Sequence, residues 1–145
     1  MKILKINSKE RKIEELEVSS KNGNSYDSIH NIAAPFSGLI TTGWFDGNNI
    51  LYCDDEGLLQ PEYPLPGFFI FISQKQGNII CGDAVVEGTT SDGSSTDVSI
   101  TKEELEKKII FTDITQEQVD ELLSMTQITS FETMEDIEQY LNTTK

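Results

Sequence analysis

The sequence predicts an α+β domain, with a mostly antiparallel sheet of five to seven strands, one early helix and two or three short C-terminal helices packed on it. Two observations predict this class. Residues 2–86 hold short apolar runs of β type, separated by turn-forming residues. After residue 100 the apolar residues recur instead at helical spacing. The length of 145 residues predicts a single domain, made of an N-terminal hairpin (1–21), a core (25–111) and an acidic helical C-terminal segment (112–145).

The N-terminal part of the chain is predicted to form a hairpin and then a helix. Residues 2–7 and 12–18 each alternate apolar and polar side chains, with a polar stretch between them. This pattern predicts two antiparallel strands with one buried face. A short helix follows, because Ser25 or Asp27 can cap its first turn. Pro35 ends this helix, since the residue before a proline avoids helical geometry.

The middle of the chain is predicted to supply most of the sheet. Gly38–Trp44 and Asn49–Cys53 are two β runs joined by a turn that contains Asp46-Gly47, a strong hairpin signal. Phe68–Ile72 is continuously apolar, which is typical of a central strand covered on both faces. A further strand is predicted over Asn78–Cys81.

The chain after Cys81 is predicted to pass from strand to loop. Ala84–Val86 is expected to continue the preceding strand beyond Gly82-Asp83. The polar, glycine-containing residues 87–97 are expected to form a flexible loop. Ile128–Phe131 is predicted as an edge strand before the last helix.

Three C-terminal segments carry the sequence signature of a helix start. Each opens on a threonine with an acidic or amide residue three places on: Thr101 and Glu104, Thr115 and Gln118, and Thr133 and Asp136. Apolar residues follow at helical spacing in three groups: Leu105 and Ile109; Val119, Leu122 and Leu123; and Met134, Ile137 and Leu141. The segments therefore predict two or three short helices.

Charge is the most informative feature of the chain for function. There are 25 acidic residues against 11 basic ones, a formal net charge of −14, and residues 109–144 hold no Lys or Arg. Such a surface repels nucleic acid and attracts basic partners. We therefore predict a protein partner with a basic surface, and no direct binding of nucleic acid or membrane. The predicted partner-binding carboxylates are Asp54, Asp55, Glu56, Asp113, Glu117, Asp120, Glu121, Glu135, Asp136 and Glu138.

A plainer interpretation of these acids stays open. Asp54–Gly57 is also typical of a solvated turn, and the later carboxylates are also typical of a soluble helix face. A solvated helix usually interleaves lysines, which pair with acids four residues away. Residues 101–109 do so, whereas the last two predicted helices do not. That uncompensated charge favours the partner-binding interpretation.

The residues that build common catalytic and metal sites are scarce. His30 is the only histidine, and Cys53 and Cys81 each end an apolar run, which is typical of reduced, buried thiols. These residues are too few and too far apart in the chain for a tetrahedral zinc site. Residues 92–104 partly follow a calcium-loop pattern but lack its first ligand and its glycine. We therefore predict no enzyme activity, no catalytic residue, no metal and no cofactor.

Two alternative functions stay open. A small-molecule pocket for sequestration is predicted from four aromatic residues: Trp44, Tyr52, Tyr63 and Phe68. A homo-oligomeric structural or regulatory module would instead bury Trp44, Phe45 or the region 63–69. The N-terminus has no apolar run of signal-peptide length, and no run approaches the roughly 18–20 apolar residues of a membrane span. A cytoplasmic protein is therefore expected.

A family resemblance adds context to these predictions. The matching segments are Asn49–Leu59, Leu65–Phe71, Gly82-Asp83 and Ser99–Glu106. On these segments the chain from about residue 28 to residue 111 resembles the domain-of-unknown-function family numbered 3846. The proline-rich bend over 61–66 departs from the family pattern, and the N-terminal hairpin has no place in it. The resemblance brings no catalytic residues. It implies a small accessory protein of a phage or other mobile element, acting inside a bacterial host cell.

Charge and context together predict the function. They indicate a small acidic, non-enzymatic binding protein that blocks a basic surface of a host protein. The sharpest form of this hypothesis is a DNA-mimic inhibitor of a host defence nuclease. Closely spaced carboxylates can stand in for phosphates, which lie about every 1.7 Å of duplex axis when both strands are counted.

Overall fold

The structure, a computed structural model, describes residues 1–20, 25–57, 63–73, 76–118, 120 and 128–129. Its elements in chain order are β1 (Lys2–Asn7), β2 (Lys12–Glu17), α1 (Tyr26–Ala33), β3 (Ile40–Phe45), β4 (Asn49–Asp54), β5 (Leu65–Ser73), β6 (Gln76–Cys81), β7 (Ala84–Thr89), β8 (Ser95–Thr96), α2 (Lys102–Glu106), β9 (Ile109–Ile114) and β10 (Ile128–Thr129). All strand pairs are antiparallel. The predicted α+β class is therefore confirmed.

The strands divide between two sheets, whereas the sequence predicts one. The larger sheet has six strands in the order β2-β1-β7-β4-β3, with β8 paired to β7. The smaller sheet has the order β10-β6-β5-β9, in which β10 contributes only two residues. Each sheet therefore combines strands that are distant in the chain.

Tight turns explain the two hairpins that the sequence predicts correctly. β1 and β2 pair from Lys2 opposite Glu17 to Asn7 opposite Lys12. β3 and β4 meet at a turn in which Gly47 has a φ of 97°, a conformation that glycine adopts without steric cost. The Asp46 carboxylate accepts the N–H of Asn48 at 2.9 Å and holds this turn closed.

The main core lies between the two sheets. Side chains alternate across a strand, so Ala84 and Val86 of β7 point into this core and Val85 points to the opposite face. Phe68 and Ile70 of β5 enter the core from the smaller sheet and are fully inaccessible to solvent. Each such side chain contributes roughly 1.5–3 kcal/mol through burial of apolar surface.

The early helix covers the other face of the larger sheet. Ile29 and Ala33, which are four residues apart on α1, pack against Ile3 of β1 and Val85 of β7. The helix stops at Ala33, two residues before the proline that was predicted to end it. Ser25 occupies the N-cap position, but its hydroxyl makes no capping hydrogen bond.

The predicted central strand is confirmed. β5 lies between β6 and β9, and Phe68, Phe69 and Ile70 are fully inaccessible on its two faces. Phe69 belongs to a second apolar cluster on the outer face of the smaller sheet, together with Leu65, Ile79, Cys81 and Ile114.

Three predicted boundaries are wrong, each for a reason of tertiary pairing. Ala84–Val86 does not continue β6, because Gly82 has a φ of 89° and turns the chain into the other sheet. Residues 87–97 are not a simple loop, since Thr89 pairs with Ser95 in the β7–β8 hairpin. Ile109 does not extend the helix α2 but begins β9, where it pairs with Ile70 of β5.

The predicted C-terminal helix starts at Thr101 and Thr115 are confirmed. The Thr101 hydroxyl accepts the N–H of Glu104 at 3.1 Å and caps α2. Thr115 and Gln118 cap each other reciprocally, at 2.8 and 3.2 Å, and residues 116–118 are helical. The Thr133–Asp136 start lies outside the described residues. Ile128–Thr129 is an edge strand on β6, as predicted.

Within the described part of the chain, no helix has the length and apolar content needed to cross a membrane.

Candidate functional site

Several of the predicted partner-binding carboxylates come together at one end of the molecule. The acidic turn after β4 lies against the end of β6, where a Cβ added to Gly57 would sit 3.1 Å from the Cys81 carbonyl oxygen. The N–H of Gly82 donates to the Pro66 carbonyl at 2.8 Å, which joins the end of β6 to the start of β5. Asp113 of β9 is opposite Pro66 in the sheet register. The turn after β4 and the chain after β9 therefore lie at the same end.

Tyr63 links these two segments independently. Burial is the main cause that raises the pKa of the Tyr63 hydroxyl, and the nearby Cys81 and Asp120 raise this pKa further. Tyr63 is thus within electrostatic range of both the end of β6 and the helical residues that follow β9. We call this region the acidic end and define it by Asp55, Glu56, Asp113, Glu117 and Asp120.

The structure places Asp54 inside the fold and not on the acidic end. Its carboxylate is 8% exposed and accepts the N–H groups of Phe36, Ser37 and Glu56 and the hydroxyl of Ser37. Burial raises the pKa of this carboxyl, but these hydrogen bonds outweigh burial and leave the pKa below its ordinary value. Asp54 therefore organises the turn and fastens the loop after α1 to it.

Asp113 is exposed but already has a cationic neighbour. The guanidinium of Arg11, the only arginine of the chain, lies 3.6 Å from its carboxylate. Lys5 of the same hairpin lies 3.8 Å from Asp83, and the Ser8 N–H donates to Asp83 at 3.0 Å. The basic N-terminal hairpin thus flanks the acidic end and offsets part of its charge.

The remaining members of the acidic end are not offset in this way. Among the described residues, Asp55, Glu56, Glu117 and Asp120 form no ion pair. Asp55, Glu117 and Asp120 are exposed and Glu56 is half-buried. The Thr115–Gln118 capping pair positions Glu117, and the Gln116 amide donates to Asp120 at 3.1 Å. Four predicted carboxylates lie outside the described residues: Glu121, Glu135, Asp136 and Glu138.

The four aromatic residues of the predicted ligand pocket do not come together. Trp44 and Phe68 are buried in the core between the sheets. Tyr52 packs near α1 on the opposite face of the larger sheet, and Tyr63 packs on the outer face of the smaller sheet. The four side chains therefore belong to three separate apolar clusters.

The two cysteines are free and buried, as predicted. Both line a cavity of about 380 Å³ where β3 and β4 meet β6. Burial, first of all, raises the pKa of Cys53 and of Cys81 to about 12, so the reactive thiolate is scarce at neutral pH.

His30 lies on α1 and not beside either cysteine, with its ring stacked on Tyr26 at a centroid distance of 4.9 Å. Within the described ranges, no group of three His, Cys, Asp or Glu residues could hold a metal ion.

The structure also reveals a polar site that the sequence does not predict. Glu87 of β7 is 3% exposed and accepts hydrogen bonds from the hydroxyls of Ser25 and Ser95. A sequence signal exists in hindsight, because extending the alternation of β7 by two residues puts Glu87 on the same face as Val85. The predicted loop over 87–97 concealed that signal.

Comparison with known proteins identifies one family. The family model described as Domain of unknown function (DUF3846) matches residues 1–127. The match is longer than the resemblance over residues 28–111 and includes the N-terminal hairpin, which the resemblance left out. No curated protein and no solved structure gives a significant match to the chain.

Proposed function

The chain belongs to the family of the domain of unknown function DUF3846, and from that premise we propose that it is a small acidic binding protein that occupies a basic surface of a partner protein through its acidic end. In this proposal the partner is a protein of a bacterial host, and the chain acts for a phage or other mobile element. The sharpest form of the proposal is mimicry of DNA toward a host defence nuclease.

The uneven compensation of charge carries this proposal. The acids of the N-terminal hairpin have cationic neighbours: Lys12 lies 2.8 Å from Glu10 and 3.2 Å from Glu14, and Lys2 lies 3.6 Å from Glu15. The four carboxylates of the acidic end other than Asp113 have no ion pair within the part of the chain that the structure describes. Exposed charges of one sign at one end attract an oppositely charged surface and accelerate its association.

Salt dependence follows from the same exposure. Charges in water are screened over about 8 Å at physiological ionic strength. Complexes held by exposed carboxylates therefore weaken as the salt concentration rises. A DNA-mimic complex has the same property, because its partner's surface evolved to read phosphates.

The test is affinity capture from a bacterial lysate, at low salt and at about 0.5 M salt, with two variants. Asp55→Lys/Glu56→Lys reverses the charge of two of the five carboxylates that define the acidic end. Glu103→Lys/Glu106→Lys makes the same change in net charge on α2. This helix lies just before the start of β9, whereas the acidic end lies at the end of β9. At the start of β9, the Lys108 carbonyl accepts the N–H of Phe71 at 2.9 Å. The wild type and the α2 variant should capture a basic protein at low salt and release it at high salt, and the acidic-end variant should not capture it.

Two results would contradict the proposal. One is a complex that survives high salt, because exposed ion pairs would then not hold it. The other is equal loss of capture in both double variants, because total charge and not the acidic end would then govern binding.

Self-association is a second candidate, favoured by one observation. Phe45 at the end of the edge strand β3 is 54% exposed, and Leu39 and Phe36 on the preceding segment are 53% and 48% exposed. Large exposed apolar side chains are typical of contact surfaces. Sedimentation of the wild type and of Phe45→Ser tests this alternative: a dimer in the wild type that becomes a monomer in the variant would support it.

A further inference from the structure

A buried carboxylate lies at the centre of the face that α1 covers. β7 is the middle strand of the larger sheet, and Glu87 follows Val85 on the α1 face. One Glu87 oxygen accepts the hydroxyl of Ser25, and the other accepts the hydroxyl of Ser95 at 3.0 Å. The two hydroxyl oxygens are themselves 3.1 Å apart. The carboxylate is therefore held in one orientation from both sides.

The partners of Glu87 are neutral. Within the described residues no lysine, arginine or histidine forms an ion pair with it. The two oxygens of a carboxylate have about four acceptor positions, and the serines occupy two of them. A buried carboxylate without a compensating cation is costly. Within the part of the chain that the structure describes, no cation therefore offsets the charge of this carboxylate.

A cavity of about 320 Å³ opens beside this carboxylate. Its walls combine the polar group with aromatic and apolar side chains: Ser25, Tyr26, Ile29, Ile40, Tyr52 and Ser95. Burial raises the pKa of the Tyr52 hydroxyl, and the negative charge of Glu87 raises it further, which places the two groups within electrostatic range. The volume lies at the lower end of the range of small-molecule pockets, about 300–1,000 Å³.

We propose that this cavity binds a small organic cation, an ammonium or guanidinium group on a short apolar stem, with Glu87 as the charged acceptor. The cation supplies the missing charge and donates to the free acceptor positions of the carboxylate. Tyr26 and Tyr52 line the cavity, and aromatic rings attract a cation. Ile29 and Ile40 accommodate the stem.

Other ligand classes fit less well. A calcium ion takes about 6–8 oxygen ligands, and the described lining of the cavity offers one carboxylate beside a few hydroxyl groups. An anion would be repelled by Glu87. The inference goes beyond the proposed function, because the cavity does not belong to the acidic end: Glu87 pairs with Ile50 near the start of β4, whereas the acidic turn follows the end of β4.

The cation can come from a free amine or from a basic side chain of another protein. The probes that separate these sources are n-butylammonium, n-butylguanidinium and a capped Gly-Gly-Lys-Gly-Gly peptide. Tighter binding of the small amines indicates a free ligand, and tighter binding of the peptide indicates a side chain. The absence of binding by all three would overturn the proposal.

The experiment is a titration followed by NMR chemical shifts of the backbone amides, at a fixed salt concentration of about 0.15 M. Saturable shifts should be confined to residues around the cavity, such as Ser25, Gly93 and Ser95. Glu87→Gln keeps the size of the side chain and removes its charge, so binding should weaken at least tenfold. Glu103→Gln, an exposed acid on α2, makes the same change in net charge and should leave binding unchanged.

A neutral ligand of the same shape provides the control that needs no variant. Binding of n-butanol to the wild type should be at least tenfold weaker than binding of n-butylammonium, even if Glu87→Gln does not fold. Equal binding of the two compounds, or shifts located at Asp55 and Glu117 instead of the cavity, would refute the proposal. These results are distinguishable from a failed capture experiment, because neither depends on a partner protein.

Discussion

Replacement of Asp54 by alanine is the sharpest test of how the acidic turn is built. The sequence offers Asp54 and Asp55 as equivalent acids, whereas the structure buries the first and exposes the second. Asp54→Ala should therefore destabilise the fold, and Asp55→Ala should not. The two variants remove the same charge from adjacent positions, so each serves as the control for the other.

The size of the effect follows from the contacts of the carboxylate. The N–H groups of Phe36, Ser37 and Glu56 donate to it at 2.9–3.0 Å, and the Ser37 hydroxyl donates as well. A hydrogen bond to a charged group contributes about 1.5–3 kcal/mol, but some of these donors regain water when the carboxylate is removed. We expect Asp54→Ala to lower the free energy of unfolding by about 2–4 kcal/mol, and Asp55→Ala by less than about 0.5 kcal/mol.

Urea unfolding measures this difference. Trp44, the only tryptophan, is 4% exposed in the core between the sheets, so its fluorescence reports unfolding. With a urea dependence of about 1–3 kcal/mol per molar, the expected loss corresponds to a fall of about 0.7–4 M in the Asp54→Ala midpoint. Equal midpoints for the two variants would refute the assignment of Asp54 as the organiser of the turn.

The pH dependence has a defined sign. Burial raises the pKa of the Asp54 carboxyl, but the hydrogen bonds outweigh burial and hold the folded-state pKa below its ordinary value of 3.8. A depressed folded-state pKa contributes stability above the unfolded-state pKa, and this stability is lost as the pH falls through the folded-state pKa. The gap between the wild type and Asp54→Ala should therefore be full at about pH 7 and should shrink below about pH 4.

The remaining predictions concern close packing and thiol chemistry. Gly67→Ala places a Cβ 2.3 Å from the Ile80 carbonyl oxygen on the neighbouring strand, so it should lower the free energy of unfolding by at least about 2 kcal/mol. At Gly47 nothing lies within 4 Å of an added Cβ, but φ is 97°, so Gly47→Ala should lower the free energy of unfolding by about 1–2 kcal/mol. Thermal melts that show the reverse order of stability would contradict the close packing at Gly67. Burial raises the pKa of Cys53 and Cys81 to about 12, so iodoacetamide at pH 8 should label the native protein at least about 100-fold more slowly than the protein in urea. Equal rates would show that the thiols are accessible.

The proposed binding end was only partly predictable from the sequence. The excess of acids and its concentration after residue 109 are visible in the sequence. The burial of Asp54 is not, because it depends on Phe36 and Ser37, which are 17–18 residues away in the chain. Neither is the pairing of Asp113 with Arg11, which joins β9 to the N-terminal hairpin.

The polar site around Glu87 shows the same limit more strongly. Ser25 is 62 residues from Glu87 in the chain, and a serine before a helix predicts a cap, a role that its hydroxyl does not have here. A glutamate next to glycine and threonine residues predicts a loop. Only the pairing of β7 with β4 and β8 places Glu87 under α1.

Features that depend on neighbours within a few residues follow from the sequence alone. These are the two hairpins, the continuous apolar strand β5 and the capped starts at Thr101 and Thr115, because turn geometry, strand alternation and capping are local interactions. The tertiary structure alone decided which strands share a sheet, and therefore which carboxylates meet at the acidic end and which side chains surround Glu87. The alternation of a strand specifies its two faces but not its partner, and pairing between distant strands depends on how the whole core packs.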